Sequence, residues 1–71
     1  MEREQLSKRQ EDILSVIAHY AALNGYPPTF REVADLVGLQ SSSTIHGHLE
    51  RLKKKGLLDW EESKPRTLRI L

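Results

Sequence analysis

The chain has 71 residues and no cysteine, so it fits one small domain without disulfides or a thiolate metal site. No apolar run reaches the roughly 18 residues of a membrane span and no signal-peptide pattern is visible, so we expect a soluble, intracellular protein. The net charge is only +1, but it is unevenly distributed. Residues 1–40 carry four basic and six acidic side chains, whereas residues 41–71 carry seven basic and four acidic side chains. This asymmetry would orient the second half towards a polyanion.

The first predicted helix covers about residues 8–24. Ser7 to Gln10 form a capping-box pattern, in which the serine is the N-cap and the glutamine reaches back to it. Apolar residues then recur at the three- and four-residue spacing of a helix: Ile13, Leu14, Ile17 and Ala21, with Tyr20 beside them. Gly25 can take the left-handed conformation that ends such a helix.

A short second helix is predicted over about residues 30–37. Tyr26, Pro27 and Pro28 form a stiff connector, because neither proline can continue a helix. A second capping box runs from Thr29 to Glu32, and Gly38 ends the helix. Its apolar face consists of Phe30, Val33, Leu36 and Val37. The next four residues, 38–41, have the length of the turn in a helix-turn-helix.

The third predicted helix, about residues 42–55, begins after Ser41 as N-cap and ends at Gly56. A single inward stripe is formed by Ile45, Leu49 and Leu52. At about 100° per residue, Ser43 and Gly47 lie on the opposite side, at roughly 160° and 200° from the centre of that stripe. The outer face of the first two turns is therefore Ser42, Ser43, Thr44, His46 and Gly47.

A β-hairpin is predicted over about residues 57–71. Residues 61–65 are turn-like, and residues 66–71 alternate polar and apolar side chains as a strand does. The order of helix, short helix, helix and hairpin is that of a three-helix winged helix-turn-helix. The sequence thus predicts one mainly α-helical domain over residues 1–71, with a small β-hairpin as its wing.

The outer face of the third helix is the predicted functional site. In a helix-turn-helix, the N-terminal part of the second helix of the motif contacts base edges in the major groove of DNA. Hydroxyl groups can donate or accept hydrogen bonds there, and a threonine methyl can pack on a thymine methyl. Gly47 costs roughly 1 kcal/mol relative to alanine in an exposed helix, which close approach of the backbone to the groove would explain; neutral drift is the alternative. The predicted base readers are Ser41, Ser42, Ser43, Thr44, His46 and Gly47.

Basic side chains and helix caps around that face are candidate phosphate contacts. Taken singly, each basic residue is better explained as an ordinary solvated charge, but those on the wing and along the third helix are more persuasive as a group. Thr29 and Ser41 are first of all helix caps, and a helix N-terminus can bind phosphate at the same time. The predicted phosphate contacts are Thr29, Arg31, Lys53, Lys54, Lys64 and Arg66, with Lys55 a further candidate.

Other chemistries find little support. Trp60 and Tyr26 are expected in the core or at its edge rather than as base-stacking groups. His46 and His48 diverge by about 200° on a helix, so they cannot share a metal ion, and His48 falls near the core flank. No acid is placed to orient a catalytic histidine, and no glycine-rich phosphate loop is visible. We therefore expect no enzyme activity, no cofactor and no metal.

Several segments together resemble the N-terminal domain of the LexA repressors, in a form similar to the Gram-positive branch. The segments that carry the resemblance are residues 6–10, 25–33, 38–39, 41–49, 55–58 and 64–66. The resemblance implies a bacterial repressor of the SOS response to DNA damage, which binds a palindromic double-stranded operator as a homodimer. It places Ser41, Ser43, Thr44, His46 and Gly47 where the family reads bases, and the wing near residues 63–66 against the DNA backbone or minor groove.

Full-length members of that family carry a C-terminal peptidase domain with a Ser–Lys dyad, which cuts its own linker when a RecA filament forms and supplies most of the dimer contact. We expect that domain to be absent here, and therefore no self-cleavage and no RecA response from these residues. The family implies a cytoplasmic, nucleoid-associated protein. The alternative function is a winged-helix module that binds proteins and not DNA, which should expose large apolar residues on its third helix.

Overall fold

Over residues 6–71, the part of the chain that the computed structural model describes, the fold contains three helices followed by two short strands. The helices are α1 (Lys8–Asn24), α2 (Phe30–Val37) and α3 (Ser42–Lys54). The strands are β1 (Leu58–Asp59) and β2 (Arg69–Ile70), which pair antiparallel. This architecture confirms the predicted winged helix-turn-helix, mainly α-helical with a small β-hairpin.

The predicted N-caps are present at the start of all three helices. In α1 the Gln10 N–H donates to Ser7 Oγ at 3.1 Å, and the Ser7 N–H donates to Gln10 Oε1 at 3.2 Å. In α2 the Glu32 N–H donates to Thr29 Oγ1 at 3.1 Å, and the Thr29 N–H donates to Glu32 Oε1 at 2.9 Å. In each capping box the two side chains thus accept hydrogen bonds from two backbone N–H groups that the helix itself leaves unpaired. Ser41 Oγ accepts the N–H of Thr44 at 3.4 Å.

The turn between α2 and α3 depends on Gly38, which takes the left-handed conformation with φ of 81°. The N–H of Leu39 then donates back to the Ala34 carbonyl at 2.8 Å, which closes the end of α2. This sharp reversal lets α3 start only four residues later and cross α2 as in a helix-turn-helix.

Side chains from all three helices and the wing share one core. Its buried members are Ile13, Ile17, Val33, Ala34, Ile45, Leu49, Leu52, Leu58, Trp60 and Leu68. Within it, Ile45, Leu49 and Leu52 have no solvent exposure, so the predicted inward stripe of α3 is confirmed. Trp60 is 6% exposed, as expected of a core residue.

The prediction for the apolar face of α2 was wrong at one position. Leu36 is 56% exposed, and Ala34 is buried instead. The reason is angular: from the centre of the face set by Phe30, Val33 and Val37, Ala34 lies about 65° away and Leu36 about 95°. Ala34 is therefore the residue that faces the core, even though its side chain is smaller than that of Leu36.

The strands of the wing are much shorter than predicted. Leu58 pairs with Ile70 and Asp59 with Arg69, and the Leu71 N–H donates to the Leu57 carbonyl at 3.0 Å. The predicted strand over residues 66–71 starts only at Arg69, because Arg66 has a left-handed φ of 59°, which no strand accommodates.

Because the capping box begins α1, we predict that Ser7→Ala lowers the free energy of unfolding by about 1 kcal/mol. The matched control is Ser15→Ala in the exposed middle of the same helix, which should be neutral or slightly stabilising because alanine is the better helix former. Urea unfolding followed by circular dichroism measures both. Equal stability of the two variants would contradict the role of the cap.

Candidate nucleic-acid interface

The outer face of α3 is open to solvent along its first two turns. Ser42, Ser43, Thr44 and His46 are exposed, as is the N-cap Ser41, and Gly47 is partly exposed. The inner stripe holds this orientation, because rotating the helix would remove three fully buried aliphatic side chains from the core. The predicted base readers are therefore presented together on one surface.

Gly47 has no structural reason within the domain to be a glycine. A Cβ built at this position meets no atom within 4 Å, and its backbone is ordinary helix. Glycine in a helix interior is less favourable than alanine by about 1 kcal/mol. Nothing within the domain therefore accounts for the glycine, whereas close approach of another molecule to this face would.

His46 lies at the border between α3 and the wing. Its Nε2 atom is 3.2 Å from Glu50 Oε2, and its ring centroid is 5.5 Å from that of Phe30 and 6.3 Å from that of Trp60. The imidazole is half exposed, so one edge remains accessible. The structure thus places His46 at the margin of the face, with Ser43 and Gly47 nearer its middle.

Two clefts show that predicted contacts from different elements are neighbours. Arg31 of α2 and Ser42 at the start of α3 line one cleft, together with Gln40 of the turn. His46 of α3 and Lys64 of the wing line the other. Arg31 and Lys64 thus each adjoin the outer face of α3, the first at its start and the second beside His46.

The lysines differ in whether their ammonium groups are engaged in contacts within the protein. Lys54 is exposed and makes no ion pair within residues 6–71, and Lys64 is 3.6 Å from Glu61. Lys53 is less available, because its ammonium group lies 4.4 Å from the centre of the Trp60 ring and 3.5 Å from Asp59 Oδ1. Lys54 can therefore meet a phosphate freely and Lys64 can do so by leaving an exposed ion pair, whereas Lys53 also fastens the wing to α3.

Asp59 is the centre of that attachment. Its Oδ1 accepts the N–H of Trp60 at 2.8 Å, and this hydrogen bond together with the charges of Lys53 and Arg69 lowers the pKa of its carboxyl group. Arg69 Nη2 lies 3.1 Å from Asp59 Oδ2. The acid therefore stays ionised and neutralised between two cations at the base of the wing.

Arg66 is engaged within the protein in a way that argues against the predicted phosphate contact. Its Nη1 and Nη2 donate to the two carboxylate oxygens of Glu32, each at 3.0 Å. Nη1 also donates to the Pro27 carbonyl at 3.2 Å and to the Tyr20 hydroxyl at 3.3 Å. The guanidinium lies 4.8 Å from the centre of the Tyr26 ring, and that tyrosine, predicted in the core or at its edge, is 47% exposed and not a core residue.

Sequence reasoning found the capping role of Glu32 but missed its pairing with Arg66, since 34 residues separate the two. It also missed Arg9, whose guanidinium donates to the Val37 carbonyl and so ties α1 to the end of α2. Neither pairing leaves a local pattern, because each partner alone looks like an ordinary surface charge.

His48 is a half-buried residue on the flank of α3, as expected. Its Nδ1 atom is buried and has no hydrogen-bond partner in the described part of the chain. Burial, and then the charges of Arg51 and Arg9, lower the pKa of its imidazole. His48 therefore belongs to the packing of the domain and is not presented for contact with DNA.

Residues 6–71 also bear on other kinds of site. No group of three or more histidine, aspartate or glutamate side chains comes together to hold a metal ion, and no helix is long and apolar enough to cross a membrane. The large exposed apolar side chains are Leu23, Tyr26, Leu36, Ile70 and Leu71, none of which is on α3. The outer face of α3 thus lacks the apolar patch that a protein-binding module would need.

Comparison with known proteins adds independent support. The family model of the LexA DNA binding domain matches residues 3–67. The chain is 52% identical to the LexA repressor of Exiguobacterium sibiricum over 67 residues, which is 94% of this chain and 33% of the relative. It is 54% identical to the LexA repressor of Bacillus licheniformis over 67 residues, 94% of this chain and 32% of the relative. The chain spans about a third of the length of the curated relatives it matches.

The position of His48 generates a pH prediction. Its lowered pKa means that the unfolded chain binds the proton more readily, so stability is complete above the ordinary histidine pKa of about 6.5 and falls as the pH drops through it. We expect the unfolding midpoint in urea to decrease between about pH 7.5 and pH 5.5. His48→Gln should flatten this dependence, and an equally steep dependence in that variant would contradict the assignment.

Proposed function

The chain belongs to the LexA DNA-binding domain family, and we propose that it is the operator-binding part of a repressor of the SOS response to DNA damage. It binds double-stranded DNA, and in our proposal the first two turns of α3 enter the major groove of a palindromic operator. The observation that carries the proposal is the outer face of α3, where small polar side chains surround a glycine that nothing in the domain requires.

We assign the residues of the interface to two roles. Base edges are read by the exposed N-terminal part of α3, with Ser41 and Ser42 at its start, Ser43, Thr44 and Gly47 in the middle and His46 at the margin. The duplex backbone is held by Thr29 and Arg31 at the start of α2, by Lys53 and Lys54 at the end of α3, and by Lys64 of the wing. The proposal leaves out Arg66, because Glu32 already occupies its guanidinium.

The remaining proposals concern the longer protein that the relatives suggest. Two such domains, joined by a dimerising C-terminal region, would bind the two halves of a palindrome with an affinity far above that of one domain. A RecA filament would trigger self-cleavage by the peptidase domain of that longer protein. The protein would act in the bacterial cytoplasm, on the nucleoid.

Because a side chain at position 47 meets open space in the free domain, we predict that Gly47→Glu has an unfolding midpoint no lower than that of the wild type and abolishes DNA binding. The probe is a duplex enriched by selection from random DNA with the wild-type chain fused to a dimerisation module. The matched control is Ala22→Glu, which adds the same group to an exposed position of α1 and should leave binding within a few-fold of wild type. Binding by Gly47→Glu at wild-type affinity would refute the placement of α3 in the groove.

A second prediction separates base contacts from phosphate contacts. Ser43→Ala should relax the preference at one base position and leave the salt dependence of binding almost unchanged. Lys54→Ala should weaken binding to all sequences alike and reduce the slope of log K against log salt by about 1. Titrations of the selected duplex and of single-base variants measure both effects. The roles assigned to these residues would be reversed if Ser43→Ala reduced the salt slope and Lys54→Ala altered the preference at one base position.

A further inference from the structure

A polar cluster, here called the Arg66 clamp, joins the wing to the rest of the fold. It consists of Arg66 of the wing with Glu32 of α2, Tyr20 of α1, and Tyr26 and Pro27 of the connector between those helices. One guanidinium therefore contacts three separate parts of the chain. The wing has only two strands of two residues each, so its backbone ladder alone holds it weakly.

The Glu32 carboxylate has two functions at once. Its Oε1 accepts the Thr29 N–H that begins α2, at 2.9 Å, and both oxygens receive the guanidinium of Arg66 at 3.0 Å. These contacts, the backbone hydrogen bond first, lower the pKa of the carboxyl group and keep it ionised. The two parallel hydrogen bonds fix the orientation of the guanidinium as well as its distance. The start of the helix-turn-helix and the wing are thus joined through one side chain.

The backbone at Arg66 supports a specific role. Its φ of 59° is left-handed, a conformation that is unfavourable for a residue with a Cβ atom. Such a conformation persists where surrounding contacts hold it in place. Lys64, a proposed phosphate contact, is two residues away, and the Thr67 hydroxyl donates to the Lys64 carbonyl at 3.0 Å. The position of Arg66 therefore helps to determine where Lys64 is presented.

We propose that Arg66 is a positioning residue for DNA binding: through Glu32 it sets the place of the wing relative to the helix-turn-helix and does not itself contact a phosphate. This inference rests on the proposed function. It also explains why an acidic residue is tolerated at the start of α2, beside the proposed phosphate contacts Thr29 and Arg31. Its charge is balanced by Arg66, so it repels the DNA backbone little.

The sharpest test is Glu32→Gln. Glutamine can keep the capping box, as Gln10 does at the start of α1, while the ion pair with Arg66 is lost. We expect the variant to bind the selected duplex about threefold to tenfold more weakly, which is the size of effect that loss of a partly exposed ion pair produces. This weakening is expected even though the substitution removes a negative charge from a DNA-binding domain. A phosphate-binding Arg66 predicts the opposite sign, because Glu32→Gln would free its guanidinium for DNA.

A double-mutant cycle completes the test. Arg66→Gln should weaken binding about as much as Glu32→Gln, and the double variant should be no weaker than the weaker single variant. Arg66→Lys keeps the charge but cannot form the two-pronged pair, so it should bind as weakly as Arg66→Gln. The matched comparison is Lys64→Gln, which removes a cation from the same wing. It should reduce the slope of log K against log salt by about 1 in the wild-type background, and by less when Arg66→Gln is also present.

All variants are compared well below their unfolding midpoints, after circular dichroism has shown that they are folded. Tighter binding by Glu32→Gln, or additive losses in the cycle, would overturn the positioning role in favour of a direct contact. Unchanged binding by all the clamp variants, whatever their unfolding midpoints, would overturn it in favour of a purely structural role. Failure of the wild-type chain to enrich any duplex would instead refute the proposed function, and the positioning role with it.

Discussion

The rest of the structure depends on the way in which one helix serves both the core and the surface. In α3, Ile45, Leu49 and Leu52 are fully buried, and full burial of such side chains is worth about 1.5–3 kcal/mol each. A domain of this size has a thin core, so it cannot lose this stripe and stay folded. The rotation of α3 about its own axis is therefore fixed by hydrophobic burial, and the opposite face is free to vary without cost to the fold. A rigid, uncommitted face is what sequence reading in a DNA groove requires.

The wing is held by two kinds of contact of different strength. Burial of Leu58, Trp60 and Leu68 supplies most of the energy, because exposed ion pairs contribute only about 0–1 kcal/mol each. Burial has little directional preference, however, and the strands are too short to set the orientation of the turn. The ion pairs made by Asp59 and Arg66 are directional, so they set the orientation of the wing. The buried apolar side chains supply the energy that keeps the wing attached to the domain.

The sequence predicts best what depends on neighbouring residues. Each N-cap and the inner stripe of α3 follow from contacts within a single helix, and the structure contains all of them. Leu36 was assigned to the core because its spacing is helical, but the width of the core-facing sector, which α1 and α3 set together, leaves it outside. Arg66 could not be placed for a similar reason. Its left-handed backbone and its partner Glu32 are consequences of tertiary packing, and no local pattern encodes them.

The distribution of charge indicates how the proposed operator binding divides between affinity and specificity. Three acids near the proposed interface are paired with cations of the domain: Glu32 with Arg66, Glu61 with Lys64, and Asp59 with Lys53 and Arg69. This pairing reduces repulsion of the DNA backbone, but it also engages Lys53 and Lys64, two of the proposed phosphate contacts. Counterion release by one domain would then depend most on Arg31 and Lys54, so we expect the electrostatic part of its affinity to be modest. In the proposed function, discrimination would come from the hydroxyl groups and the open backbone at Gly47, and occupancy would come from two domains on one palindrome. A weakly binding unit suits such an arrangement, because separation of the pair is then enough to release the operator.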